Sequence, residues 1–259
     1  MRWIQPGIES LDDNLLRLIG KGNSAVMNVQ LLKWSSEFGV HPAWNMLCGI
    51  PGDCDRWYAE MAEWLPAIFH LQPPTGVVRI RYDRFSPYHT RPEAFGLVLE
   101  PSRAYGYVYP LPKASLMRLA YSFEHSGQRD SHIHRAVQQQ PGQQALQEAV
   151  KRWNELWQGS RPVLHVDDNS RDLWITDTRP GARRASWAIH GLEAEIYRLC
   201  DAAQTPAMLL KQLSVRRGSA VSAHEVETAL EMLCEPNLLL RLNGKLLSLG
   251  VDKTQASPA

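Results

Sequence analysis

Apolar positions early in the chain follow two rhythms: short runs that are apolar on successive residues, and longer stretches in which they recur every three or four. The short runs, residues 3–8, 41–48 and 77–82, predict buried strands, and the longer stretches predict helices. Leu11, Leu15 and Leu18 mark a first helix that Ser10 is placed to cap, with Asp12 and Asp13 in its positive first turn and Gly20 and Gly22 at its end. A second helix covers residues 25–38 and stops at Gly39. Beyond the turn Gly49-Ile50-Pro51-Gly52, Asp53 is placed to cap a third, whose apolar stripe is Trp57, Met61, Trp64, Leu65 and Ile68 and whose end is Pro73-Pro74. Doubly apolar strands alternating with helices predict a parallel α/β unit over residues 1–125. About three strands are too few to close a barrel, so one edge of such a sheet is expected to stand open.

The rhythm changes after residue 125. Residues 126–160 open on a polar stretch, break at Gln138-Gln139-Gln140-Pro141-Gly142 and continue as a predicted helix over 144–157. Residues 161–251 predict an α+β unit. Segments 162–166 and 172–177 flank the turn Asp167-Asp168-Asn169-Ser170, helices follow over 192–202 and 206–213, and Ser222 with Glu225 forms a capping box before a third helix. A terminal hairpin, 238–242 with 245–249, turns on Asn243-Gly244. Three helices and a hairpin outline a winged helix, and residues 252–259 read as a disordered tail.

Composition narrows the function classes. With 44% hydrophobic and 21% charged residues among 259, the chain can bury a sizeable core, and a formal charge of +1 gives no nucleic-acid footprint. In the last unit Lys211, Arg216, Arg217 and Arg241 are offset by Glu193, Glu195, Glu225, Glu227, Glu231 and Glu235, which argues against phosphate contact. No run approaches a membrane span or a signal-peptide core, so no membrane partner and a cytoplasmic location are expected. Cys48, Cys54, Cys200 and Cys234 lack framework spacing and predict free thiols. His132 and His134 sit in a polar stretch without neighbouring ligands, so no metal site is expected there. No nucleophile-elbow spacing supports hydrolase chemistry, and no catalytic residue is assigned.

Three blocks carry a resemblance in their order: Ile4-Gln5-Pro6-Gly7-Ile8-Glu9-Ser10-Leu11, Trp44-Asn45-Met46-Leu47-Cys48-Gly49-Ile50-Pro51-Gly52-Asp53, and Arg81-Tyr82-Asp83-Arg84-Phe85-Ser86-Pro87-Tyr88. Together they resemble the cobalamin-dependent radical S-adenosylmethionine (SAM) enzymes that mature ribosomally synthesised peptides (RiPPs). In that family a partial TIM barrel binds SAM, a CxxxCxxC loop holds a four-iron iron–sulfur cluster, and a separate preceding domain binds cobalamin. The blocks are similar to the fourth, fifth and sixth barrel strands; the cluster loop, the first three strands and the cobalamin domain have no counterpart here, and Asp53 stands where many members carry Glu. The resemblance implies a half barrel followed by the winged-helix-like unit.

It also implies a SAM site. Gln5 belongs to it, Glu9 or Ser10 would face the ribose, Lys21 the carboxylate and Asn45 the amino end, while Asp83, Arg84 and Tyr88 would face substrate. Four have a plainer reading too: Gln5 satisfying backbone beside Pro6, Ser10 a helix cap, Lys21 a last-turn cation, Asp83 the partner of a neighbouring Arg. The carboxyl-terminal unit loosely resembles small winged domains that capture leader peptides along a strand edge. The expectation is therefore a truncated or split carboxyl-terminal portion of a peptide C-methyltransferase, inactive alone, with a precursor peptide and a separate chain carrying the cluster-binding half as partners. Two alternatives stay open, a non-catalytic leader-binding subunit and a winged-helix DNA-binding protein.

Overall fold

Pro6 and Gly7 interrupt the first apolar run, and Pro42 the second, so the strands of the computed structural model are shorter than the runs that predict them; it describes residues 2–126 and 140–252. The opening elements are β1 (Trp3–Ile4), α1 (Asp13–Leu18), α2 (Ala25–Glu37), β2 (His41–Pro42), β3 (Met46–Cys48), α3 (Asp55–Trp64), a 3-10 turn (Leu65–Ile68) and β4 (Val77–Arg79). Their pairing is parallel throughout: Trp3 with His41, Glu9 with Met46, and Met46–Cys48 with Val77–Arg79. Two caps differ from the sequence expectation. Asp12, not Ser10, caps α1, its Oδ1 accepting from Asn14 and Leu15 N–H at 2.9 Å, because the helix begins two residues later than the apolar spacing suggests. Cys54 occupies the cap of α3, and Asp53 turns inward instead.

Residues 80–126 take a different course from the parallel segment before them. β5 (Tyr82–Asp83), α4 (Pro87–Thr90), a 3-10 turn (Pro92–Phe95), β6 (Leu99–Pro101), α5 (Ala104–Val108), α6 (Lys113–Leu119) and β7 (Ser122–His125) build an antiparallel sheet of order β5-β7-β6. It closes over its own small core of Tyr82, Tyr88, Leu97, Ala120 and Phe123. Of the expected linker, residues 127–139, with His132 and His134, lie outside the described residues, as do 253–259 of the expected tail.

The last part runs α7 (Pro141–Gln158), β8 (Leu164–Asp168), β9 (Leu173–Asp177), β10 (Ser186–Ile189), α8 (Gly191–Leu199), α9 (Pro206–Arg217), α10 (Ala223–Cys234), β11 (Leu239–Leu242), β12 (Lys245–Ser248) and β13 (Val251–Asp252). β8, β9 and β10 form an antiparallel meander, β13 adds parallel to β8, and the order is β10-β9-β8-β13. β11 and β12 form the expected hairpin, with Asn243 and Gly244 both at positive φ as a tight turn of this kind demands. The described residues thus form a mixed α/β structure of small sheets, none closed into a barrel.

One apolar core runs through residues 8–71, 146–153 and 164–251. Trp153 of α7 anchors it: fully buried, it stacks on Phe69 at 5.5 Å, meets Trp44 edge-on at 6.1 Å and donates its indole N–H to Leu71 O at 3.0 Å. The start of α7 is held from α3, where the Asp55 carboxylate accepts from Gly142 and Gln143 N–H at 2.7 and 3.0 Å. That approach leaves no room for a side chain, since a Cβ on Gly142 would stand 2.1 Å from Asp55 O.

Polar groups also enter this core. Arg179, in the segment between β9 and β10, reaches the Asp177 carboxylate and the carbonyls of Ala67, Pro236 and Asn237. Lys33, 1% exposed, meets Asp201, Ser248 and Glu37. His70 Nε2 lies 2.8 Å from Leu249 O; a carbonyl only accepts, so Nε2 carries the proton and the buried Nδ1 is bare.

Two outcomes follow. Gly→Ala within a helix ordinarily stabilises by about 1 kcal/mol, but overpacking against backbone costs about 1–3. Gly142→Ala is therefore expected to lower stability to chemical denaturation, with a single transition. Burial, aided by the Arg179 charge, holds the His70 imidazole well below its ordinary 6.5. The unfolded chain then takes a proton that the native chain refuses, so stability is full above about pH 6.5 and falls as pH drops below it. Denaturant midpoints taken from pH 7.5 to 5.5 should decline, and His70→Gln should flatten that slope.

Candidate functional site

The carboxyl ends of the parallel pairings gather the groups expected at a ligand. Gly7 at φ +62° and Glu9 at φ +61° fold the chain back after β1, and the Glu9 carbonyl accepts from Leu47 N–H at 2.8 Å. Lys21, at the end of the α1 region, donates to Gly7 O at 3.2 Å and lies 3.4 Å from the Glu9 carboxylate. A Cβ on Gly7 would stand 3.1 Å from that ammonium, which together with the positive φ explains glycine there. Ser10 is fully buried beneath them, its Oγ accepting from Asp12 N–H at 3.1 Å and its carbonyl from Asn28 Nδ2 at 2.9 Å. Asn45 is half-buried just before Met46, the bridge partner of Glu9, and Gln5 is exposed. Glu9, Ser10 and Lys21 are thus brought together, with Asn45 beside them in sequence register.

A non-glycine residue in the left-handed region costs about 1–2 kcal/mol, and persists when the surroundings impose it. Glu9 is such a residue, and sequence spacing gave no sign of it. Beside it stand further groups, of which the sequence reading singled out Asp53 alone, as a helix cap and a departure from the family's Glu. Asp53 Oδ2 accepts from Ile50 N–H at 3.0 Å and from the buried Tyr58 hydroxyl at 2.6 Å. Burial, then this carboxylate, pushes the Tyr58 hydroxyl well above its ordinary range. The Arg79 side chain lies over Gly49, where a Cβ would stand 3.1 Å from its Cγ and Nε.

The block 81–88 is held differently. Asp83 Oδ1 accepts from the Ser122 hydroxyl at 2.8 Å, and Arg81 stands 3.9 Å away. Arg84 donates to Ala120 O at 2.7 Å and Met117 O at 2.6 Å, closing the end of α6, with its guanidinium 5.4 Å from the Phe123 ring centre. Tyr88 is buried between Tyr82 and Phe95, its hydroxyl without a hydrogen-bond partner among the described residues and its pKa raised by burial. Phe85 points outward, 79% exposed and at φ +71°. Tyr107, Val108, Leu119 and Tyr121 are exposed apolar side chains of the same segment. The resemblance drew attention to the flanking positions, while the strained aromatic is visible only in the backbone.

The thiols do not fit a four-iron cluster. Cys48 and Cys200 are buried, Cys234 is half-buried and Cys54 is exposed. Burial raises the Cys48 thiol, pushes Cys200 up to about 12 and Cys234 up to about 11, so these three stay protonated near neutrality. Among the described residues no three His, Cys, Asp or Glu side chains converge as metal ligands.

The carboxyl-terminal unit offers an edge. Among the described residues β10 pairs only with β9, on the side opposite to β8. Asp177 N–H donates to Ala185 O at 2.9 Å, so residues 185, 187 and 189 face β9, and Ser186 and Ala188 turn their backbone N–H and C=O to the open side. Arg217 and Arg241 of the same unit pair with Glu195 and Glu227. No helix among the described residues is long and apolar enough to cross a membrane.

Glu9→Gly removes the left-handed strain and an exposed ion pair worth at most about 1 kcal/mol. It is expected to hold or raise the unfolding free energy from denaturant titration, by up to about 1 kcal/mol, whereas glycine at an ordinary position lowers it. Comparison of the chain with family models, curated proteins and solved structures gives no match.

Proposed function

We propose that this chain is the substrate-handling part of a cobalamin-dependent radical SAM enzyme that modifies a ribosomally synthesised peptide, with C-methylation the reaction of the complete catalyst. Residues 1–125 correspond in this reading to the carboxyl-terminal half of the partial barrel and 161–251 to a winged-helix-like peptide-capture unit. The iron–sulfur cluster is then held by residues other than these, on a partner chain, because the thiols here are dispersed and protonated. The exposed apolar side chains from Phe85 to Tyr121 suit a surface that such a partner covers. SAM supplies the methyl group and the radical precursor. Toward it, Lys21 is the cation for the carboxylate and Glu9 the acceptor for the ribose hydroxyls, with Asn45 and Gln5 at the rim; Ser10, fully buried, supports the loop that carries Glu9.

The observation that carries the reading is the open side of β10. An extended peptide laid antiparallel or parallel to it gains main-chain hydrogen bonds at Ser186 and Ala188, and alternate side chains then fall on the sheet faces. The same edge supports the alternative of a leader-binding subunit without catalysis. DNA reading draws no support, since two of the basic residues nominated for it are already paired with glutamates.

The test uses a displayed library of random extended peptides selected on the full-length chain. Enrichment of an alternating-residue motif, with binding weakened at least about tenfold by Ala188→Pro, is expected, since proline removes an outward N–H without touching the bonds to β9. No enrichment, or a selected motif that Ala188→Pro binds equally, would overturn peptide capture at this edge. Adding a cluster-bearing partner chain then separates the enzyme from the accessory subunit, by SAM cleavage in the first case and none in the second.

A further inference from the structure

Side chains of β9 and β10 alternate between the two faces of their sheet. Ile175 pairs with Trp187 on the face turned to the main core, and Trp174 pairs with Ala188 on the face turned away from it. Trp174 is 52% exposed there. Its neighbour toward the open edge is a single methyl group, that of Ala188, and the next pair along, Thr176 with Ser186, is also small and exposed. The indole can therefore be reached from the edge, across Ala188, and among the described residues no strand lies beyond.

A strand added outside β10 sets one residue beside Ala188, with its side chain on the face that carries Trp174. That residue stands two strand spacings from Trp174, or about 10 Å. A small side chain there leaves the indole in water. An aromatic one, leaning across the Ala188 methyl, closes to the separation of about 4.5–7 Å between ring centres at which such pairs attract. The residues before and after it turn to the other face, where one stands beside the half-buried Trp187 and extends the core.

Charge does not compete for this place. Asp167, the neighbour of Trp174 on β8, lies three strand spacings from the added residue, about 14 Å, which is more than a lysine or arginine side chain spans. Asp168 and Asp172 are engaged, the first with Arg198 at 2.7 Å and the second with His190 Nδ1 at 2.7 Å. A cation beside Ala188 thus meets the ring without a carboxylate partner, whereas an aromatic side chain needs none.

We propose that the peptide taken up at β10 carries an aromatic residue beside Ala188, and that Trp174 selects it. This rests on the reading of β10 as a peptide edge and names the side chain that the edge prefers.

The test repeats the library selection on the full-length parent and on Trp174→Ala and Trp174→Phe, both at an exposed position. From the parent, one position of the alternating motif should be enriched in Phe, Tyr or Trp. A peptide of that motif and its counterpart with alanine at this position are then titrated against each protein. The alanine should weaken binding by about fivefold for the parent and nearly as much for Trp174→Phe, but by less than about twofold for Trp174→Ala. Melting temperatures of the variants should stay within the range of the parent. A motif that Ala188→Pro weakens but that shows no aromatic position, or an aromatic preference that Trp174→Ala retains, would overturn this inference and leave peptide capture standing. Selection of nothing, or of a motif indifferent to Ala188→Pro, overturns both. Should Trp174→Ala fold poorly, Trp174→Thr, a good strand former, takes its place.

Discussion

The Arg179 guanidinium holds together parts of the chain that local sequence would leave apart. It carries five N–H donors, and all five have acceptors: Asp177 takes two at 2.9 and 2.7 Å, Ala67 and Asn237 carbonyls one each at 2.5 and 2.9 Å, and Pro236 the last at 3.4 Å. A buried charge costs several kcal/mol when any of its donors is left unpaired, so the arrangement is stable only when three segments arrive together. These are the 3-10 turn after α3, the end of β9 and the turn after α10. Their meeting brings His70 to Leu249 and places the start of β11 over the floor of the amino-terminal core.

From that junction the positions of the functional features follow. α2 is pressed against β12 and β13, where Lys33 finds Asp201 and Ser248, and Gln30 Oε1 accepts from Ala203 N–H at 2.6 Å. A cleft of about 460 Å³ remains there, between Lys33, Glu37 and Phe38 on one side and Asp201 and Asp252 on the other, because that contact is polar and incompletely filled. The segment 82–125, in contrast, carries its own small core and is tied to the rest through the strand that precedes it. Its exposed aromatic and aliphatic side chains are thus free to serve a surface role without cost to the main core.

Much of the local structure was legible in the sequence, and the reasons are local. Apolar spacing marked α1, α2, α3, α7, α8 and α9 though not α4, α5 or α6, Asn243-Gly244 marked the hairpin and Ser222 the cap of α10, each decided by residues within a few positions. The parallel pairings of residues 3–9, 41–48 and 77–79 were legible as well, though shortened where Pro and Gly break the ladder. What lay hidden depends on distance in sequence or on backbone sign. Tyr82 pairs with Phe123 across forty residues without a turn signal, which made an antiparallel sheet of what read as continuing barrel. The burial of Lys33 and Arg179 has no sequence signal, because composition gives no hint of buried partners. At the candidate site the residue types at 9, 10 and 21 were legible, but the left-handed φ of Glu9 and of Phe85 was not, since neither is a residue that seeks it.

Strand order also sets the open edge apart from the contact between α2 and the sheet. β10 and β13 stand at opposite edges of a four-stranded sheet, three strand spacings apart, or about 14 Å. β13 is the edge that meets α2, where Asp252 N–H donates to Glu37 Oε1 at 3.4 Å. A peptide added outside β10 therefore lengthens the sheet at the far edge, about 5 Å beyond β10, and its main-chain bonds form without disturbing the packing of α2.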